Sequence, residues 1–259
     1  KKLLIFIGFS YLFLIPICFY IIMNDGLNKR EKFILPKTIK DSFIVSKKAS
    51  ECFDINYVHK KQNEKKICRI GNVKKEQIDF IVFGDSHIIS FYSLLDNLAK
   101  KYGKSGLFTG YSGCPPILNV YPLRPDQKEK NCYQLNKLIS QIVNENEIKN
   151  IILISRWTYY TDGDNFGANL NFLGLKPRRS SNKVLSREAF TQGLADTLKN
   201  YGQQGKNVFI VEQAPNQVIS PEQIYYRSFD NNLLKFKNNI IHYSLNLKQH
   251  YKHQSFVKR

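Results

Sequence analysis

The chain has 259 residues, of which 42% are hydrophobic, enough apolar material for one full-sized domain with an appendage. Its 39 basic and 21 acidic side chains give a formal net charge of +18. The lysines are dispersed and form no stripe interleaved with aromatic residues, which disfavours a nucleic-acid site and favours a solvated surface or one that faces anionic lipid or glycan.

Residues 3–23 carry no charged side chain. At about 1.5 Å per residue, a helix of this length matches the roughly 30 Å hydrocarbon core of a bilayer, so residues 1–23 are predicted to form one transmembrane helix. A secretory signal peptide is the alternative, because Lys1 and Lys2 precede the apolar run. That run is long for a signal peptide, and no small-residue cleavage site follows it. Lysines on both sides leave the orientation open.

Residues 24–78 are polar, rich in lysine and without clear periodicity, which predicts an extracytoplasmic linker or extension. Cys18 lies in the apolar run. The other cysteines form an even set of two loosely spaced pairs that suits two disulfides in an oxidising compartment: Cys52, Cys68, Cys114 and Cys132. A bridge between Cys52 and Cys68 would order the end of the linker. Four reduced cysteines in the cytosol are the alternative.

The pattern changes at residue 79, where the main domain is predicted to begin and to continue to residue 259. Short apolar runs predict buried parallel strands at residues 78–84, 106–113, 149–155 and 206–215. Helical patterns occupy residues 87–103, 133–148, 185–205 and 220–251. Ser186 is expected to cap the third of these helices, and residues 254–259 to lead into a final strand. The alternation predicts a three-layer α/β sandwich with a parallel sheet.

In such a fold, ligands bind beyond the carboxyl ends of the strands. Three loops from separate parts of the sequence therefore converge on one rim, at residues 84–87, 111–116 and 155–157. This convergence predicts the location of the functional site.

Ser86 lies directly after the first strand and at the start of a predicted helix. The backbone N–H groups and dipole of such a helix would stabilise the oxyanion formed when Ser86 attacks an ester carbonyl. The alternative is that Ser86 or Asp85 only caps the helix. A phosphate-binding loop is disfavoured because the pattern G-x-x-x-x-G-K is absent.

The sequences VFGDSH (82–87), SGCPP (112–116) and SRW (155–157) together resemble the SGNH hydrolase superfamily. They are most similar to the SGNH domains fused after the last transmembrane helix of acyltransferase-3 membrane proteins, which O-acetylate bacterial surface polysaccharides such as lipopolysaccharide. The resemblance implies a flavodoxin-like fold and transfer of an acetyl group to a hydroxyl of a cell-surface glycan. It also implies a periplasmic globular domain, held by a single-pass helix at the inner membrane.

By this resemblance Ser86 is the nucleophile, which forms an acyl-enzyme, and the backbone amides of Ser86 and Gly113 are oxyanion donors. Arg156 and Trp157 stand where the wider superfamily has an asparagine as third donor. Arg156 is therefore expected to contact the oxyanion or the substrate, and Trp157 to lie on the rim. A surface arginine stacked on Trp157 is the alternative.

The superfamily takes its catalytic acid and histidine from a late D-x-x-H motif. No aspartate of this chain is followed by a histidine at the third position. Asp85 and His87 are interpreted as supporting residues rather than as acid and base, because neighbouring side chains on such a turn diverge. The chain is therefore expected to be cut at both ends, with the membrane domain lying before Lys1 and the D-x-x-H segment after Arg259.

No metal or nucleotide cofactor is expected in this domain. The resemblance implies acetyl-CoA as the ultimate acyl donor, through a membrane-embedded acyltransferase domain of the same parent chain, and an extracytoplasmic glycan as acceptor. Two alternatives stay open: a carbohydrate esterase of the same fold, and a catalytically inactive fragment that binds glycan.

Overall fold

The computed structural model describes residues 2–23, 47–53, 67–123, 132–163, 171–177, 182–215, 223–224, 238, 240–242, 244 and 246–258. The chain divides into two compact units. One comprises Lys1–Ile44 and Gln217–Ser244, and the other comprises Val45–Asn216 and Leu245–Arg259.

The first unit contains helix α1, Lys2–Met23, with Pro16 inside it. Its bounds agree with the helix predicted over the charge-free run. Across the residues that the structure describes, no helix has the combined length and hydropathy of a membrane span. The transmembrane assignment therefore stays a prediction. Most of the helix predicted over residues 220–251 falls outside the described residues.

The second unit contains the α/β fold. Its helices are α2 (Lys47–Glu51), α3 (Tyr92–Lys101), α4 (Cys132–Glu145), α5 (Trp157–Thr161), α6 (Lys183–Gln203) and α7 (Leu247–His253). Its strands are β1 (Cys68–Gly71), β2 (Phe80–Gly84), β3 (Ser105–Gly110), β4 (Tyr121–Pro122), β5 (Asn150–Ile154), β6 (Leu173–Gly174) and β7 (Asn207–Val211).

Within the described part of the chain, five strands form the central sheet in the order β1-β3-β2-β5-β7, and β4 pairs with β6 in a separate two-stranded sheet. Strands β3, β2, β5 and β7 are parallel, which confirms the α/β fold class. Strand β1 pairs antiparallel with β3, so the sheet is mixed rather than wholly parallel. The sequence did not predict β1, because its four residues, CRIG, show neither a continuous apolar run nor a clear alternation.

Alternate side chains of the strands enter two cores, as the period-2 geometry of a strand requires. On one face of the sheet, Ile81 and Ile151 join apolar residues of α4 and α6 in a large core cluster. On the other face, Val82 and Ile154 join Tyr92 of α3 and Ala49 of α2. The sheet therefore lies between two layers of helices, which is the predicted three-layer arrangement.

One local prediction is wrong. Ser186 does not cap the helix after β6, because α6 begins at Lys183 and its N-cap is Asn182, whose side chain accepts from the Leu185 amide at 2.9 Å. Residues 254–258 form turns, and the strand expected after them stays a prediction. They turn because Gln254 is buried and donates to the Gln213 carbonyl at 2.7 Å, while Phe256 packs against the core.

Candidate active site

Strand β2 delivers the predicted serine loop to the carboxyl edge of the sheet. At Gly84 a Cβ atom would lie 1.7 Å from the Ile154 carbonyl oxygen, so only glycine lets β2 and β5 approach here. Ser86 then begins a 3₁₀ helix, Ser86–Phe91, and the α-helix predicted at this point starts only at Tyr92. Ser86 is exposed, and its hydroxyl has no hydrogen-bond partner among the described residues.

Asp85 connects this loop to the loop after β5. Its Oδ1 accepts from the His87 amide at 2.9 Å. Its Oδ2 accepts from the Ser155 hydroxyl at 2.7 Å, the Arg156 amide at 2.9 Å and the Tyr160 hydroxyl at 2.9 Å. Asp85 also caps the 3₁₀ helix, as one of the sequence alternatives held. The carboxylate thereby fixes the position of Ser86 relative to Arg156.

The environment of Asp85 keeps it ionised. Burial by itself would raise the pKa of this carboxyl group, but the ring and amide of His87 and the Arg156 amide outweigh it and lower the pKa below its ordinary value. Burial and the Asp85 charge raise the pKa of Tyr160 well above its usual range, so the phenol stays protonated and donates. A carboxylate with its lone pairs occupied in this way is suited to holding the loops together and poorly suited to accepting a proton.

The second predicted loop follows β3. Gly113 is buried and has a φ of +75°, a left-handed conformation that favours glycine. A disulfide joins Cys114 to Cys132 at the start of α4. Asn136 of α4 donates to the carbonyls of Pro115 and Ile117, both at 2.8 Å. These contacts fix the loop that supplies the Gly113 amide.

A second disulfide joins Cys52 to Cys68 and ties α2 to β1. The two bridges use the four cysteines that the sequence assigns to disulfides. Cys18 is free and exposed.

The third predicted loop follows β5 and contains Arg156 and Trp157, which differ in burial. Arg156 is half-buried, and its guanidinium lies over the Tyr159 ring at 4.7 Å from the centroid. Trp157, expected on the rim, is instead buried; its Nε1 donates to the Val211 carbonyl at 2.8 Å and its ring packs near Phe190. Trp157 is buried because it begins helix α5, and this helix directs the large apolar ring of Trp157 into the core.

The three loops line one pocket of about 200 Å³. The lining residues are Asp85, Ser86, His87, Ser112, Gly113, Arg156, Tyr159, Tyr160 and Asn171. Five predicted site residues therefore come together, and Trp157 is not among them.

Sequence reasoning missed the tyrosines of α5 and Asn171. Tyr160 is fully buried below the pocket. Asn171 is also fully buried, and both its Nδ2 and its Oδ1 lack a hydrogen-bond partner in the structure. No motif or periodicity marks Asn171, since it stands in a short irregular segment before β6. Its only sequence signal is a polar residue flanked by two apolar ones, in LNF.

His87 lies beside the pocket, with its Nδ1 3.3 Å from the Asp85 Oδ1 but without a hydrogen bond to it. His250 and His253 belong to α7 and do not line the pocket. Burial lowers the pKa of His253 despite the nearby Asp162 carboxylate. Among the described residues, His87 is thus the histidine of the pocket.

An exposed serine at the end of a parallel strand, with a glycine amide and an arginine from two further loops, defines an α/β protein with a serine-centred pocket. Residues 51–259 match the family described as "SGNH domain (fused to AT3 domains)". The chain therefore belongs to this family of SGNH domains.

No curated protein matches the chain. Among solved structures, the chain is similar to the periplasmic domain of a lipopolysaccharide acetyltransferase from Salmonella ser. Paratyphi A, with 13% identity and a TM-score of 0.46. The match covers 71% of this chain and 62% of the length of that one.

Proposed function

We propose that the chain is the extracytoplasmic acyl-transfer domain of a membrane O-acetyltransferase, and that Ser86 carries the acetyl group to a hydroxyl of a cell-surface glycan. The observation that carries this proposal is the common pocket of Ser86, Gly113 and Arg156, which come from three loops far apart in sequence. Membership of the family of SGNH domains fused to AT3 domains supports it.

The proposed reaction has two halves. The Ser86 Oγ attacks the carbonyl carbon of the donor's acetyl group, the serine proton passes to a base, and the leaving group departs with a proton. A glycan hydroxyl then attacks the acetyl-serine, so that the acetyl group moves to the glycan oxygen and the proton returns to Ser86. The D-x-x-H histidine that the resemblance implies would serve as base, and we assign no described residue to that role.

Backbone amides would stabilise the charge that develops on the carbonyl oxygen. Gly113 is buried in a loop that a disulfide fixes, and donors that are held rigidly need no reorganisation when charge develops. Arg156 supplies a cation at the same pocket, steadied by the Tyr159 ring.

The membrane-embedded acyltransferase domain of the parent chain would deliver the acetyl group from acetyl-CoA. We propose that α1 holds the globular domain at the periplasmic face of the inner membrane. Its support is the apolar surface of residues 11–23, where Leu12 and Ile22 are each 71% exposed. Carbonate extraction of bacterial membranes tests this point: a chain released into the supernatant would contradict it.

A fluorophosphonate probe tests the nucleophile. In a protein that includes the D-x-x-H histidine, we expect labelling of the wild type and its loss in Ser86→Ala, while Ser112→Ala, a serine of the same pocket, keeps labelling. Labelling that survives in Ser86→Ala would contradict the proposal. Measuring acetate release against acetyl appearance on a polysaccharide then separates an esterase from a transferase, and release without transfer would favour the esterase.

A second candidate function is glycan binding without catalysis. The sequence favours it, because no aspartate is followed by a histidine at the third position, so Ser86 lacks the histidine base that the resemblance implies. Glycan binding without any fluorophosphonate labelling would support this candidate.

A further inference from the structure

The Ser86 pocket contains a cation that no acidic group of the protein neutralises. Among the described lining residues, Asp85 is the one carboxylate and Arg156 the permanently charged base. Both oxygens of Asp85 already accept hydrogen bonds from backbone amides and hydroxyl groups of the protein. The Arg156 guanidinium makes no hydrogen bond or ion pair within the described part of the chain and lies only over the Tyr159 ring.

The carboxylate at the far end of helix α5 is also occupied. Arg156 is the N-cap residue of this helix, and Asp162 is its C-cap residue. The Asp162 Oδ1 is paired with Lys183 and with Arg187, whose Nη2 lies 2.6 Å away. Its Oδ2 accepts from the Thr161 hydroxyl at 2.8 Å. The charge of Arg156 is therefore left for a ligand.

The groups that the pocket offers to a ligand include no carboxylate or amide acceptor. Ser86 and Ser112 are exposed and present hydroxyl groups, and Arg156 presents guanidinium N–H donors. The Asn171 side chain is fully buried. Each hydroxyl of a neutral sugar brings a hydrogen that needs an acceptor, whereas an ionised carboxylate only accepts. The pocket is therefore matched to an anionic sugar better than to a neutral one.

We propose that the glycan acceptor carries a carboxylate, as a uronic acid does, and that the Arg156 guanidinium binds this carboxylate through paired N–H···O bonds. The inference rests on the proposed function, because it takes the pocket as the acceptor site. The Tyr159 ring already restricts the planar guanidinium, so less side-chain freedom is lost when the carboxylate binds. Arg156 thereby selects the acceptor.

The binding of trigalacturonic acid and of its fully methyl-esterified form to the full chain tests this role. The two ligands share the same sugar rings, and only the acid is charged. We expect the acid to bind the wild type about tenfold more tightly than the ester, measured by calorimetry or NMR at one fixed salt concentration. A half-buried, partly screened charge pair accounts for a difference of this size.

Two variants of Arg156 locate the effect. Arg156→Gln should lower the affinity for the acid to that for the ester and leave the ester unchanged. Arg156→Lys keeps the charge but not the planar pair of donors, so its affinity for the acid should be intermediate. The backbone amide that donates to Asp85 remains in both variants, so we expect wild-type melting temperatures.

Lys101→Gln is the matched control for net charge. The formal charge of +18 attracts any acidic glycan at long range, whether or not a specific site exists. Lys101 also lies over a tyrosine ring, that of Tyr102 at 5.6 Å, but does not line the pocket. Its loss should change the affinity for the acid by less than twofold.

The outcomes are distinct. Equal affinities of the wild type for acid and ester overturn the inference, and so do equal losses in Lys101→Gln and Arg156→Gln. Glucose 6-phosphate that binds through Arg156 more tightly than galacturonic acid would assign a phosphate in place of the carboxylate and also overturn it. The proposed function fails separately: Ser86 that stays unlabelled in a protein with the D-x-x-H histidine contradicts acyl transfer, whereas acid-selective binding that needs Arg156 would still support the site.

Discussion

The Tyr160 hydroxyl donates to the Asp85 Oδ2 at 2.9 Å, although 75 residues separate the two in sequence. Both side chains are buried, and two further groups, the Ser155 hydroxyl and the Arg156 amide, donate to the same oxygen. A hydrogen bond to a charged acceptor is worth more than a neutral one, and this one joins helix α5 to the serine loop. The pocket therefore depends on a buried carboxylate that holds its loops together.

Replacing Asp85 by Asn should destabilise the protein by about 3 kcal/mol, because an amide cannot accept from all of these donors and leaves some of them unsatisfied. Tyr160→Phe, which removes one donor only, should cost about 1.5 kcal/mol. Urea unfolding measures both. A loss in Asp85→Asn no larger than that in Tyr160→Phe would contradict the arrangement described for the carboxylate.

The lowered pKa of Asp85 gives stability a pH dependence of known sign. Its folded pKa lies below the ordinary value of 3.8, so the ionised form is favoured in the folded state. The stabilisation is fully present above the unfolded pKa and is lost as pH falls through the folded pKa. Unfolding free energies measured from pH 6 to pH 3 should therefore fall less steeply for Asp85→Asn than for the wild type. Parallel curves would contradict this prediction.

The disulfide between Cys114 and Cys132 should matter for both stability and the site. It closes a loop with a sequence separation of 18 residues, and its removal by a double change to serine should cost about 3 kcal/mol. Labelling of Ser86 should also slow, because the Gly113 loop loses its anchor to α4.

The other bridge provides the control for this prediction. Cys52 and Cys68 do not line the pocket, so their double change to serine should cost similar stability while labelling of the folded protein persists. Equal loss of labelling in both variants would show that the effect is one of global stability.

Replacing Ser186 should destabilise the protein more than replacing Asn182, which is the N-cap of helix α6. Ser186→Ala removes the buried hydroxyl that accepts from the Leu173 amide and donates to the Tyr160 carbonyl, at a cost of about 2 kcal/mol. Asn182→Ala removes an exposed cap and should cost about 1 kcal/mol. Thermal or urea unfolding distinguishes the two, and the reverse ranking would contradict the structural assignment.

We predict that His87 is not the base, because it directly follows Ser86 and neighbouring side chains on such a turn diverge. We expect His87→Ala to keep fluorophosphonate labelling within about tenfold of the wild-type rate, less than the 100-fold or greater loss that removing a general base can produce. Abolished labelling in a folded His87→Ala protein would assign the base to His87 instead.

Much of the fold follows from the sequence, because local periodicity reports which face of an element is buried. The apolar runs of β2, β5 and β7 and the stripe of α4 are each visible without tertiary information. Antiparallel β1 is not, since a four-residue edge strand has too few residues to show a pattern. The membrane role of residues 3–23 and the identity of the base stay predictions.

For the site as well, the sequence predicted one part and the tertiary structure decided the rest. The sequence by itself determined that Ser86, Gly113 and Arg156 follow successive parallel strands, and parallel strands present their carboxyl ends at one edge. Only the tertiary structure decided which side chains near that edge are buried and so removed from water. It turned Trp157 into the core and brought Tyr160 beneath Asp85. It also buried Asn171 in the pocket without a partner, because desolvation depends on packing between distant segments that no local pattern records.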